Sequence, residues 1–151
     1  MIVIGVLCIL LLVLTTIIHY EVLRTLNARL PNMAIPRRTR LLVVIFGAFF
    51  AHAVEILLYA LAIFLLVRVV DLGTLGDAPH LSLSTALYFS AETYTSLGYG
   101  DFLPRGDLRM LCGAEALNGL LLIGWSVSYT YLAMERFWNS GDSVGDGPGN
   151  R

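Results

Sequence analysis

The chain has 151 residues, of which 57% are hydrophobic and only 14% are charged, and its mean hydropathy is +0.75. A soluble domain of this size cannot bury so much apolar surface, so the composition predicts a membrane protein. The formal net charge of −1 excludes a strongly basic surface, so we expect no nucleic-acid partner.

The first apolar segment, residues 1–19, predicts a transmembrane helix because about 20 apolar residues are needed to cross a bilayer core. A cleaved signal peptide is the alternative, but it would need positive charge before the apolar run and a small-residue cleavage site after it. Residues 20–40 then form a basic loop with five arginines. One face of residues 21–30 is apolar, which predicts a helix along the membrane surface. The positive-inside rule places this loop in the cytoplasm.

Two further spans follow, an outer helix over residues 41–70 and an inner helix over residues 108–137. If the basic loop is cytoplasmic, the first of these runs outward and the second returns. The tail, residues 139–151, is rich in Gly and Asp and is predicted to be disordered and cytoplasmic. The sequence therefore predicts a multi-pass protein of the plasma or inner membrane.

Between these spans lies a segment, residues 81–101, that is too short and too polar for another crossing. Ser82 or Ser84 can cap a short helix that continues through Thr95, and the glycines at 98 and 100 would end it. Non-helical backbone at membrane depth is tolerated only where it is buried in protein or lines a water-filled path. The segment is therefore predicted to be a re-entrant pore loop.

Residues 93–101 of this loop read TYTSLGYGD. This run resembles the filter of the potassium-channel pore family, T-x-T-T-V-G-Y-G-D, from which Ser96 and Leu97 depart. The resemblance covers about residues 41–138 and leaves the first span outside it. It implies an all-α membrane fold: outer helix, pore helix with filter, and inner helix, preceded here by one N-terminal transmembrane helix. One pore loop per chain supplies a quarter of a filter, so the resemblance implies a homotetramer.

The resemblance also implies which residues meet the ion. A dehydrated potassium ion needs a cage of oxygens, and backbone carbonyls supply it when consecutive residues aim them at one axis. The implied ion path is lined by Thr95, Ser96, Leu97, Gly98, Tyr99 and Gly100, with potassium held at Ser96, Leu97, Gly98 and Tyr99. Potassium would be the permeant ion, so we expect no cofactor. A non-conducting scaffold or accessory subunit, or a less selective cation channel, are the alternatives.

Two acids flank this segment, Glu92 on the predicted pore helix and Asp101 after the glycines. Because the chain doubles back, we predict that the two carboxyls meet and share a proton. The resemblance implies that such a pair supports the filter from behind. The alternative is that Asp101 faces solvent while Glu92 bonds nearby backbone amides.

The spans contain further polar residues at overlapping depths. His52, Glu55, Glu115 and Asn118 are predicted to form one polar, hydrogen-bonded cluster between the outer and inner helices. The cluster packs the helices together, senses protons, or faces water or a lipid head group. The three histidines are scattered along the sequence, so neither a metal site nor a catalytic site is predicted. In the inner helix the candidates for a hinge or for the cavity wall are Gly119, Leu121, Gly124, Ser128 and Leu132. Its glycines, Gly113, Gly119 and Gly124, could instead let helices approach closely.

Overall fold

The protein is described by a computed structural model that covers residues 2–76 and 81–139. Its helices are α1 (Ile2–Arg29), α2 (Arg37–Leu65), α3 (Leu83–Tyr94) and α4 (Leu108–Asn139). Within the described residues, three helical stretches are long and apolar enough to cross a membrane: Ile2–Asn32, Thr39–Val70 and Leu108–Phe137. The predicted all-α membrane fold with an extra N-terminal helix is confirmed. The tail predicted to be disordered lies outside the described residues apart from Asn139, the last residue of α4.

The first helix is longer than predicted, and residues 21–29 continue it instead of forming a separate helix. Helix α1 continues to Arg29, and a 3₁₀ turn, Leu30–Asn32, follows it directly. The apolar face of this stretch packs inside the protein, since Leu23 and Leu30 are buried and Leu26 lies against Gly47 of α2. An apolar stripe fits a protein surface as well as a membrane surface, and here neighbouring helices cover it.

Helix α2 begins four residues earlier than predicted and ends in a wider turn. Pro36 is its N-cap residue, with φ −54° and ψ 144°, and its ring prevents the helix from extending further towards the N-terminus. Leu66–Val70 form one π-helical turn, and Asp71, with φ 54°, ends it in the left-handed region. The non-helical part of the predicted basic loop is therefore reduced to residues 33–36.

The short helix α3 is held between α2 and α4. Of the two predicted capping residues, Ser82 is the N-cap, and its hydroxyl accepts a hydrogen bond from the Thr85 amide at 3.0 Å. Two-residue strands β1 (Thr74–Leu75) and β2 (Pro104–Arg105) pair antiparallel. This small ladder ties the segment after α2 to the segment before α4, and so fixes both ends of the loop that contains α3.

The core joins all four helices. Its largest buried residues include Ile4 from α1, Tyr59 and Ile63 from α2, Tyr94 from α3 and Leu111 from α4. A second, smaller cluster lies at the other end of the spans, around Leu30, Val44 and Ala133. Helix α1 contributes to both clusters, so the N-terminal helix is an integral part of the fold and packs on both the outer and the inner helix.

Candidate functional site

The end of helix α3 is also the start of the segment that resembles a channel filter (residues 95–100, the filter segment). The Leu97 amide donates to the carbonyl oxygen of Glu92 at 2.9 Å, and the Ser96 amide donates to that of Thr93 at 3.0 Å. Together with φ 57° at Ser96, these bonds form a Schellman motif. Ser96 occupies the left-handed position that glycine usually takes there. The helix therefore ends before the glycines that were expected to end it.

The backbone of the filter segment alternates in the sign of φ. Ser96, Gly98 and Gly100 have φ of 57°, 57° and 84°, while Leu97 and Tyr99 between them stay negative. In an ordinary strand successive carbonyls point to opposite sides. Where residues with negative and positive φ alternate, successive peptide groups turn to the same side. Glycine reaches positive φ without steric cost. A backbone of this kind can present successive carbonyl oxygens on one side.

The filter segment has little covering within one chain. Tyr99 is 68% exposed and Leu97 58% exposed, so both side chains have little cover from their own chain. Thr95 uses its hydroxyl locally, donating to the carbonyl oxygen of Ala91 at 2.7 Å. The carbonyl end of α3, which carries partial negative charge, lies directly before this segment. Cations are favoured near such a helix end.

Glu92 lies behind the filter segment and is 4% exposed. Burial raises the pKa of its carboxyl and the neighbouring Asp101 raises it further, whereas Tyr88 and the backbone of Tyr99 lower it. Tyr88 is also affected by this contact. The hydrogen bond with Glu92 and burial raise the pKa of the Tyr88 phenol to about 12. The interaction of Asp101 with Glu92 agrees with the prediction that the two carboxyls meet. That they share a proton stays a prediction.

The raised pKa of Glu92 predicts a pH-dependent stability. A carboxyl whose pKa is raised on folding contributes stability below its unfolded pKa of about 4.3, and this contribution is lost as pH rises through the raised value. We expect Glu92→Gln, which cannot ionise, to lose less thermal stability than the native protein between acid and alkaline pH. Melting curves of the purified protein across this pH range measure the difference.

The control for this experiment is Glu135→Gln, which removes an exposed carboxyl from α4 and should leave the native pH profile unchanged. Parallel profiles of native protein and Glu92→Gln would contradict the assignment of a proton to Glu92.

The four polar residues predicted to form one network lie in separate contacts. His52 and Glu55 are together, with the His52 Nδ1 at 3.1 Å from the Glu55 Oε2. Three unpredicted residues complete this group: His19 from α1, Tyr94 from α3 and Ser126 from α4. The His19 Nδ1 lies 2.9 Å from the Glu55 Oε1, and the Tyr94 hydroxyl donates to the Glu55 Oε2. We call these five residues the Glu55 cluster.

The other two predicted members bond elsewhere, so the single network is wrong. Glu115 contacts the Ser90 hydroxyl of α3 at 2.5 Å. Asn118 donates to the Thr15 hydroxyl at 2.8 Å and to the Tyr59 hydroxyl at 3.3 Å. The prediction rested on overlapping depths, but depth does not give the rotation of a helix, and rotation decides which side chains meet.

Gly119 marks a close approach between helices. A Cβ atom at this position would lie 2.0 Å from the carbonyl oxygen of Tyr94, so this glycine is needed for the inner helix to contact the end of α3. The close approach is one of the two roles expected for the inner-helix glycines, and the hinge role stays a prediction. The other inner-helix candidates are exposed or partly exposed within one chain: Leu121, Gly124, Ser128 and Leu132.

Sequence reasoning missed His19 and Tyr94 for different reasons. His19 was placed at the end of the first span, but α1 continues ten residues beyond it and the imidazole is fully buried. An ionisable residue inside a span is a functional candidate, so the correct helix length would have found it. Tyr94 occupies the variable position of the filter motif, and its role follows from residues far away in the sequence.

Comparison with known proteins gives one match. A family model described as an ion channel matches residues 38–136, from the first turn of α2 almost to the end of α4. The match therefore includes α3 and the whole filter segment and leaves α1 outside. No curated protein and no solved structure matches the chain.

Proposed function

The chain belongs to the two-transmembrane potassium-channel pore family of ion channels, and from this premise we propose that it conducts potassium ions selectively and passively across a membrane. Four copies would surround one ion path lined by the filter segment. Membership in a channel family also favours transport over catalysis, so no reaction is assigned to the chain.

The alternating φ of Ser96, Gly98 and Gly100 is the observation that carries this proposal. Carbonyl oxygens turned to one side can replace the hydration shell of a potassium ion, which binds through oxygen atoms alone. The carbonyl end of α3 adds a favourable potential for a cation beside the same segment. Backbone oxygens bind the ion whatever the side chains are, so the departures at Ser96 and Leu97 from the family motif leave the coordination unchanged.

The exposure of the filter segment supports the proposed homotetramer. A row of carbonyls on a single chain forms one side of a cage, and cyclic symmetry around a four-fold axis closes it. The large exposed side chains of Leu97 and Tyr99 would then be covered by neighbouring copies in place of solvent. We propose that the tetramer, embedded in the bilayer, is the functional unit.

The arginine distribution supports one orientation. Arg24, Arg29, Arg37, Arg38 and Arg40 flank the connection between α1 and α2, and basic connections of this kind stay in the cytoplasm. The filter segment would then face the outside of a plasma or inner membrane, with the C-terminus in the cytoplasm.

Recordings from the purified protein in planar bilayers test the proposal. With a tenfold potassium gradient balanced by sodium, we expect a reversal potential close to the potassium limit of about 59 mV, and a particle mass in detergent equal to four chains. A reversal potential near zero would indicate a less selective cation channel. Absence of current from correctly sized tetramers would indicate a scaffold or accessory subunit, and a dimer as the largest species would overturn the tetrameric pore.

A further inference from the structure

The Glu55 cluster is an unusual set of side chains for the interior of a channel subunit. Three of its residues could each bind a metal ion through one atom: His19, His52 and Glu55. These three atoms all lie within 4.8 Å of one another. His19 and Glu55 are fully buried, and the side chain of His52 is 15% exposed. Potassium conduction through backbone carbonyls needs none of these groups.

We propose that the Glu55 cluster is a binding site for a divalent transition-metal ion of the zinc type. The donors are the Nδ1 atoms of His19 and His52, the carboxylate of Glu55 and the hydroxyl oxygen of Tyr94. The Glu55 Oε1 lies beside His19, and its Oε2 lies beside His52 and Tyr94. Imidazole nitrogen with carboxylate and phenol oxygen is a donor set that suits Zn²⁺ or Co²⁺, whereas K⁺ and Ca²⁺ prefer oxygen alone.

The spacing of the donor atoms fits this ion. In a tetrahedral site with bonds of 2.0–2.2 Å, neighbouring donors lie about 3.3 Å apart. The His19 Nδ1 to Glu55 Oε1 distance is 2.9 Å, the His52 Nδ1 to Glu55 Oε2 distance is 3.1 Å, and the His52 Nδ1 to Tyr94 hydroxyl distance is 2.9 Å. These three separations are a few tenths of an ångström shorter than the tetrahedral edge, so the donors would have to move apart around the ion.

Ser126 supplies the second layer of the site. Its hydroxyl oxygen lies 3.0 Å from the Nε2 of His52 and 3.2 Å from the Nε2 of His19. When both Nδ1 lone pairs face a metal, both Nε2 atoms carry a hydrogen, and the two lone pairs of one hydroxyl oxygen can accept both bonds. Metal-bound histidines are typically oriented by a partner of this kind on the other ring nitrogen.

The site is also within reach of the surface. A cavity of about 470 Å³ between α2, α3 and α4 is lined by His52, Tyr94 and Ser126, together with Thr95 of the filter segment. An ion could pass from this cavity to the donors with only local side-chain motion. A bound ion would join α1 and α2 to the carbonyl end of α3, next to the ion path.

Metal titration of the complete, chelator-treated protein tests the proposal. We expect one Zn²⁺ per chain after gel filtration, measured by mass spectrometry of the metal, and a visible Co²⁺ spectrum of the tetrahedral type. Loss of a donor should weaken binding more than about 100-fold in Glu55→Gln and His52→Gln, and loss of the orienting hydroxyl in Ser126→Ala should weaken it about 10–100-fold. These readouts do not depend on conduction.

The matched control is Glu115→Gln, which removes another fully buried carboxyl and should bind metal as the native protein does. Native protein that retains no stoichiometric Zn²⁺, or a Glu55→Gln variant that binds as tightly as the native protein, would overturn the proposal. The native titration decides the question even if a variant fails to fold, and a native protein without metal would leave the cluster as a hydrogen-bonded packing group.

Discussion

Potassium current falls below detection in Gly98→Ala if the filter segment is the ion path. The φ of 57° at Gly98 lies in the region where an alanine costs about 1–2 kcal/mol, and a tetrameric pore would carry this cost four times. An alanine that relaxes to negative φ breaks the alternation, so its carbonyl turns away from the axis. In planar bilayers the variant should form tetramers but should not conduct.

The control for Gly98→Ala is Gly113→Ala on α4. Among the residues that the structure describes, no atom of the same chain lies within 4 Å of an added Cβ at either position. The two variants therefore differ in backbone conformation and not in local crowding. Alanine favours a helix interior, and Gly113→Ala should therefore conduct. If Gly98→Ala conducts with native selectivity, the path does not run along these carbonyls.

Gly119→Ala has the second large expected effect, on folding and assembly. The added methyl would lie 2.0 Å from the carbonyl oxygen and 2.8 Å from the carbonyl carbon of Tyr94. Both atoms are backbone, so a change of side-chain rotamer cannot relieve the overlap, and α4 must separate from the end of α3. Overpacking of this kind costs typically 1–3 kcal/mol, and we expect a loss at or above ~3 kcal/mol.

Thermal unfolding in detergent measures this loss, together with the fraction of tetramer. Gly124→Ala is the control, because within residues 2–76 and 81–139 of one chain no atom lies within 4 Å of an added Cβ there. This variant should leave the melting temperature unchanged or slightly raised. A Gly119→Ala variant as stable as the native protein would mean that the helices separate at no cost, and the close approach would then have no structural importance.

Some of the fold could be read directly from local sequence. The number of spans follows from uninterrupted apolar length, and the cap of α3 follows from a serine before an apolar helical stretch. The boundary of α1 could not be read in the same way, because the apolar face around Leu23 has the same pattern whether it contacts lipid or protein. Its burial depends on α2 and α4, which are distant in sequence.

The filter segment likewise contains one feature that the local sequence predicts and one that depends on the folded structure. The glycines at 98 and 100 predict a positive φ, because glycine adopts it without steric cost. Ser96 gives no such signal, and it becomes left-handed because the Schellman bonds to Thr93 and Glu92 close the helix at that point. The side chain determines which residues adopt a positive φ easily, whereas the hydrogen bonds at the helix end determine which residue actually has one.

The sequence by itself determined the membrane class, the three spans and the channel family, because each depends on length, composition or the spacing of residues that are close in the chain. Only the tertiary structure decided that His19 meets Glu55, 36 residues away, that Tyr94 joins them, and that Glu115 and Asn118 bond elsewhere. Spacing along a helix gives depth, but contacts across helices depend on the rotation of each helix about its axis. Packing of large and small side chains, such as Tyr94 against Gly119, sets that rotation.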